Sequence, residues 1–271
     1  MQHTSTPLTI TPAIEQAIGY FLTPHRPAKK TWSSSLPPLE LQAKASIEWP
    51  DGESIPFVCH RLGCGPDVLL VHGWESQATD LWHLADAIAK AGFSVWCPDL
   101  PAHGHSSGSM LSIPLATQAL HSIAHKIDHF HAVIGHSLGG AVVVNALATG
   151  LPATQVIVIA APTHYGAYAR QVAHACSLSD SDTTQMLDRL EEMTGTHPDR
   201  IAIPEQAATL NQRCLWLHAN DDDVVPVEEG IQAVNAWKHA ELHRFDNLGH
   251  FHILQDATVC HQLLQALARH S

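Results

Sequence analysis

The stretch Ala132-Val133-Ile134-Gly135-His136-Ser137-Leu138-Gly139-Gly140 decides the fold. An apolar run stops at a serine flanked by glycines, and a small-residue helix pattern over 138–148 begins directly after it. Gly135-x-Ser137-x-Gly139 is the G-x-S-x-G pattern of a sharp strand-to-helix turn that lifts a serine oxygen above a sheet edge. Such a turn strains the serine backbone, so the residues two before and two after must be small. The N–H groups opening the following helix carry partial positive charge suited to a developing oxyanion.

Outward from this turn, strand-like and helix-like runs alternate. Upstream, Val68-Leu69-Leu70-Val71 reads as a buried strand, followed by an amphipathic helix over 78–91 and a strand over 93–96. Residues 129–134 lead into the serine. Downstream, strands are expected at 155–160, 214–217 and 242–245, with helices at 227–237 and 256–270. This rhythm predicts an α/β fold: a mainly parallel central sheet with helices on both faces. Before it, 41–49 and 54–62 flank the turn signal Pro50-Asp51-Gly52-Glu53 and predict an antiparallel hairpin.

Two segments fall outside the rhythm. Residues 1–40 carry Pro7, Pro12, Pro24, Pro27, Pro37 and Pro38, and predict an arm packed on the body with a short helix at 13–22. Residues 162–212 separate two sheet strands by more than a simple crossover needs. They hold two helical patterns, at 165–176 and 183–193, and then a loop with Pro198 and Pro204. An insertion at the carboxyl edge of a sheet commonly covers a site. The expected organisation is an arm at 1–40, a core at 41–161 and 213–271, and a helical cap or lid at 162–212.

Composition narrows the partners. Lys and Arg total 14 against 26 Asp and Glu, a formal charge of −12, which opposes binding to nucleic acid or an anionic membrane. None of the six cysteines forms a C-x-x-C pair, so free thiols in a reducing compartment are expected. No apolar run approaches the ~20 residues of a bilayer span, and the N-terminus lacks a basic segment leading into a long apolar core. The expected location is cytoplasmic, with oligomeric state left open.

A serine hydroxyl becomes a nucleophile when a base takes its proton and an acid orients that base. After a turn of this kind the chain order is serine, acid, histidine. Asp221, Asp222 and Asp223 follow the predicted 214–217 strand, and each is a candidate acid. Gly249 follows the last strand and allows a turn that aims His250 back over the sheet edge.

The sequence resembles the α/β-hydrolase family over roughly residues 41–270. The resemblance rests on five segments in register: Val71-His72-Gly73-Trp74, Asp99-Leu100-Pro101-Ala102-His103-Gly104-His105-Ser106, Gly135-His136-Ser137-Leu138-Gly139, the acidic loop ending Val225-Pro226, and Gly249-His250. In relatives the acid lies four residues before the proline, which implies Asp222. The resemblance further implies that Ser137 attacks, that His250 takes its proton, and that the backbone N–H groups of Trp74 and Leu138 form the oxyanion hole. The implied activity is hydrolysis of carboxylic esters or thioesters of small molecules, with no cofactor and no metal. The same triad also serves amide, lactone, carbon–carbon or peracid chemistry. A non-catalytic ligand-binding protein on this fold would be marked by a degraded triad.

Two further features carry expectations. The family's second segment usually has a glycine where this chain has Ala102, which predicts a different course for that loop because alanine resists positive φ. His72, Asp99 and His103 are read as supports of the loops. His121, His125 and His129, spaced by four, would form one stripe if helical, and read as a partly solvated face rather than a metal site.

Overall fold

The computed structural model describes residues 10–25, 40–48, 52 and 54–269. In chain order the elements are α1 (Pro12–Leu22), β1 (Glu40–Glu48), β2 (Ser54–Gly63), β3 (Asp67–Val71), α2 (Trp82–Lys90), β4 (Ser94–Asp99), α3 (Ile113–Ala124), β5 (Phe130–His136), α4 (Leu138–Ala148) and β6 (Ala153–Ile159). Then come α5 (Tyr165–Ala175), α6 (Asp180–Thr194), α7 (Ile203–Ala207), β7 (Arg213–Ala219), α8 (Val227–Ala236), β8 (Ala240–Phe245), α9 (Gly249–His252) and α10 (Ala257–Ala268).

Eight strands form one sheet in the order β1-β2-β4-β3-β5-β6-β7-β8. The β1–β2 hairpin is antiparallel and joins β4 antiparallel, and every pairing from β4 to β8 is parallel. Strand order reverses between β3 and β5, and ligands of open parallel sheets bind at the carboxyl ends of strands at such a switch point. The predicted alternation and hairpin are present; Pro50, Asp51 and Glu53 of its turn lie outside the described residues, as do 1–9 and 26–39 of the predicted arm. The helix α3, capped by the Ser112 side chain on the N–H of Leu115, had no counterpart in the sequence reading.

Successive side chains of the central strands point to opposite faces. Leu69 and Val133 join one core with α3 and α4, while Leu70 and Ile134 join the other with α2 and α10. A third cluster lies apart from both. In it Ile14, Ile18 and Leu22 of α1 pack against Ala169 and Ala173 of α5 and against Met186, Leu187 and Leu190 of α6. The N-terminal helix therefore rests on the inserted helices.

Two expectations meet corrections or detail here. Ala102 adopts φ +64 and is fully buried, so the loop takes the positive-φ course that alanine had been expected to prevent. Its N–H donates to Ser107 O at 2.8 Å, and Ser107 N–H donates in turn to Pro56 O at 3.0 Å. Surrounding bonds impose the conformation against a local preference of about 1–2 kcal/mol. The histidine stripe does not form, because α3 ends at Ala124. His121 and His129 face Thr149 and Thr154 hydroxyls instead, at 2.9 and 2.8 Å. All six cysteines are free.

Ala102→Gly is expected to shift the unfolding free energy by less than about 1 kcal/mol, relief of strain being offset by the entropy of the unfolded chain. Ala102→Val, β-branched at positive φ and without room, is expected to destabilise by about 2–4 kcal/mol. Urea titrations of both variants measure this, and an equal loss in both would contradict a strained backbone.

Candidate active site

Ser137 stands between β5 and α4 with φ +53 and ψ −128, a conformation side chains rarely adopt. Its neighbours explain the glycines. A Cβ on Gly135 would lie 2.2 Å from Gly139 O, and one on Gly139 would lie 2.4 Å from His72 O. A Cβ on Gly73 would lie 2.9 Å from Ser137 Cβ, so the turn after β3 runs directly beside the serine. Trp74 follows that turn, and Leu138 opens α4, where the first N–H groups lack intrahelical acceptors.

Of the three adjacent acids, Asp222 is buried while Asp221 and Asp223 are exposed. Asp222 Oδ2 lies 2.8 Å from His250 Nδ1. Its other oxygen accepts the N–H groups of Val224 and Val225 at 2.9 and 2.8 Å. Asp221 instead accepts the N–H of Leu248 at 3.2 Å. Burial alone would raise the Asp222 carboxyl, but hydrogen bonds from His218, His250 and the Val225 N–H outweigh it and hold the group well below the usual carboxylate range.

Two histidines the sequence had not singled out, His218 and His136, shape this neighbourhood together with the loop supports His72 and His103. His218 Nδ1 accepts from Trp216 Nε1 at 3.2 Å, so its proton sits on Nε2, which donates to Val225 O at 2.9 Å and lies 3.4 Å from Asp222. His136 Nε2 donates to His250 O at 2.9 Å, with the two ring centroids 4.7 Å apart. Burial, then the neighbouring His250, pushes His136 down to about 3. His72 Nε2 accepts the N–H of Leu100 at 3.0 Å and its Nδ1 donates to Gly73 O at 2.8 Å. Burial lowers its affinity for a proton as well. His103 ties Glu75 N–H to Pro101 O in the same way, at 3.0 and 2.9 Å. The spacing of His218 four residues before Asp222, and the place of His136 beside the serine, were the available sequence signals.

Ser137 opens on a cavity of about 440 Å³. Its lining is largely apolar and aromatic, including Trp74, Leu138, Tyr165, Tyr168 and Val172. Tyr20 and Phe21 of α1 complete it, the Phe21 and Tyr165 rings lying 4.9 Å apart. The large apolar side chains exposed among the described residues are Tyr20, Val224 and Phe251. The first two line the cavity and the third packs edge-on against the His250 ring. Glu229 of α8 accepts from the N–H and hydroxyl of Thr163 and from the Tyr168 hydroxyl, fixing the start of the insertion.

A strained serine at the switch point, a buried Asp–His pair and an apolar cavity define an α/β protein of the nucleophile-turn type. Residues 68–262 match the alpha/beta hydrolase family, and the chain belongs to it. Among curated relatives, it is 28% identical over 129 residues to a pimeloyl-[acyl-carrier protein] methyl ester esterase of Nitrosomonas europaea, covering 47% of this chain and 49% of that protein. A protein of the same name from Aeromonas salmonicida is 33% identical over 85 residues, 30% of this chain and 32% of that one. The chain thus matches about half or less of the length of these relatives. In fold it is similar to an esterase from Pyrococcus furiosus, with TM-score 0.66 at 17% identity over 92% of this chain and 97% of that one. An esterase from Thermogutta terrifontis gives 0.65 at 17% over 85% and 100%. Among the described residues, no helix is long and apolar enough to cross a membrane.

The neutral, buried His72 and His136 make stability depend on pH. Unfolded imidazoles bind protons near pH ~6.5, whereas these two resist protonation when folded. Their stabilising effect is whole above that value and is lost as pH falls below it. The urea midpoint should therefore decline from pH 7.5 to 4.5, and His136→Gln should flatten the decline. An unchanged slope in the variant would contradict the buried neutral imidazole.

Proposed function

We propose that the chain is a serine hydrolase that cleaves carboxylic ester or thioester bonds of small apolar substrates through an acyl-enzyme. The observation that carries this reading is the 2.8 Å pair between Asp222 and His250 beside a strained Ser137 that opens on an apolar cavity. With Nδ1 donating to Asp222, His250 keeps Nε2 as the basic nitrogen. Ser137 Oγ attacks the carbonyl carbon as His250 Nε2 takes its proton, and Asp222 stabilises the imidazolium. The backbone N–H groups of Trp74 and Leu138 receive the oxyanion. His250 then protonates the departing alcohol or thiol, and water repeats the sequence to release the acid. No cofactor or metal enters these steps.

The cavity supports an uncharged acyl group, since its lining among the described residues includes no Lys, Arg, Asp or Glu. The apolar residues around its mouth suit a substrate that arrives with apolar surface to bury. Esterase names among the relatives agree with ester chemistry. The carrier-bound methyl ester in those names remains a property of those proteins. Residues 162–212 act in this reading as a helical cap, and α1 belongs to it through its packing on α5 and α6. The expected location remains cytoplasmic.

A fluorophosphonate probe should label the wild type and not Ser137→Ala. Asp222→Asn should lower turnover by something like the ~10⁴ typical of a misoriented imidazole. Asp221→Asn and Asp223→Asn should change it by less than about tenfold, since both face solvent. A large loss at either neighbour with a mild one at Asp222 would overturn the assignment. Across p-nitrophenyl esters of increasing chain length, Phe21→Ala should move the preference toward longer or bulkier acyl groups. An unchanged preference in the folded variant would remove α1 from the acyl site.

A further inference from the structure

Outside the serine site, three side chains converge. His60 of β2, Asp99 at the end of β4 and His105 in the loop after it bring one ligand atom each to within 4.8 Å of one another. The His60 and Asp99 side chains are 8% and 2% exposed, and that of His105 is 43% exposed. His60 Nε2 and His105 Nδ1 each lie 3.4 Å from the same oxygen, Asp99 Oδ2.

His60 Nε2 hydrogen-bonds Asp99 Oδ2 at that distance, which is long for an N–H···O bond centred near about 2.9–3.0 Å, and His105 Nδ1 approaches as closely without such a bond. The spacing fits another geometry. With metal–ligand distances of about 2.0–2.1 Å, neighbouring donor atoms of a tetrahedral zinc shell lie roughly 3.3 Å apart. The bonding of the carboxylate points the same way. Oδ1 accepts the N–H of Ala78 at 2.8 Å, and Oδ2 accepts the N–H of His105 at 2.9 Å. With the His105 N–H and His60 both on Oδ2, the His105 imidazole is left beside the same oxygen without a place of its own on it. A single cation placed between them would engage all three groups at once.

We propose that His60, Asp99 and His105 form a binding site for a divalent transition cation of the zinc class, with a fourth position open to solvent beside His105. Two imidazoles and one carboxylate suit zinc, whereas calcium and magnesium favour all-oxygen shells. The site lies outside the proposed hydrolytic steps. Its ligands come from β2, the end of β4 and the following loop, so a bound cation clamps the hairpin to that loop. The expected consequence is stabilisation of the folded chain, since the unfolded chain does not hold the three ligands together.

The test uses the full chain without a histidine tag, stripped with chelator and equilibrated with zinc chloride. Elemental analysis should find one tightly held zinc per chain, cobalt(II) should give the visible absorption of a four-coordinate site, and zinc should raise the melting temperature. His105→Ala, a change at a partly exposed side chain, should weaken zinc binding at least about tenfold and abolish the thermal shift. His60→Gln should do the same, and His121→Ala should do neither. No tight zinc uptake by the wild type, or wild-type affinity in His105→Ala, would overturn the proposal. Folding of His105→Ala is checked by retained fluorophosphonate labelling, so failure of the metal site and failure of the serine assignment are read separately.

Discussion

The close approach of β3, β5 and α4 around Ser137 is the constraint on which the rest of the arrangement depends. Positive φ at the serine reverses the chain within one residue, so α4 starts directly on the exit of β5. Backbone then meets backbone: Gly139 sits against the carbonyls of Val71 and His72, and Gly135 against that of Gly139. Helix α4 is buried from Gly139 to Leu147, so it has no polar face to turn toward solvent. Its packing on the sheet fixes the helix N-terminus relative to the turn at Gly73. The serine, the helix N–H groups and the β3 loop are therefore set by one steric arrangement and not by flexible side chains.

Around that centre, the buried carboxylates among the described residues, Asp99 and Asp222, are held by backbone and imidazole donors. Asp222 receives two backbone N–H groups and His250, and Asp99 receives the N–H groups of Ala78 and His105. Hydrogen bonding to the ionised form is what makes such burial tolerable. The imidazoles of His72, His103 and His136 work in the opposite sense. His72 and His103 each bridge two main-chain groups and His136 donates to the His250 carbonyl, which ties loops together without placing a positive charge in the core.

How much of this was legible in the sequence follows from the range of each signal. Strand and helix periodicity is local, so the sheet elements and both inserted helices were readable to within a few residues. Helix α3 was missed because its start lies in the Ser112-Ile113-Pro114 signal, while attention to His121, His125 and His129 obscured where it stops. The choice among Asp221, Asp222 and Asp223 could be argued only from an offset to Pro226; burial of one and exposure of two is a tertiary fact. Ala102 misled because propensity describes an isolated residue, and here hydrogen bonds from neighbouring strands hold it in place. The meeting of α1 with the insertion joins residues far apart in the chain, and no local pattern encodes it.

That meeting has a consequence for how the cavity is enclosed. The cluster joining α1, α5 and α6 is small and separate from the two cores on the sheet faces. Units with few buried apolar contacts open at lower free energy than the core. Three further ties oppose such opening: Leu111 N–H donates to Leu22 O, His25 N–H to Glu75, and Tyr168 with Thr163 to Glu229. Two of these hold the end of α1 against the body, and the third holds the first turn of α5. The three helices are bound to one another by apolar packing, and to the body by Tyr165 packing on the first core and by polar bonds at their edges. Movement of these helices as a single piece, with α1 carried along with α5 and α6, leaves their shared cluster intact. Movement of α5 and α6 alone would also expose Ile14, Ile18 and Leu22 to water, at about 1.5–3 kcal/mol for each fully buried side chain. The packing thus ties Tyr20 and Phe21 to the residues of α5 that face them across the cavity.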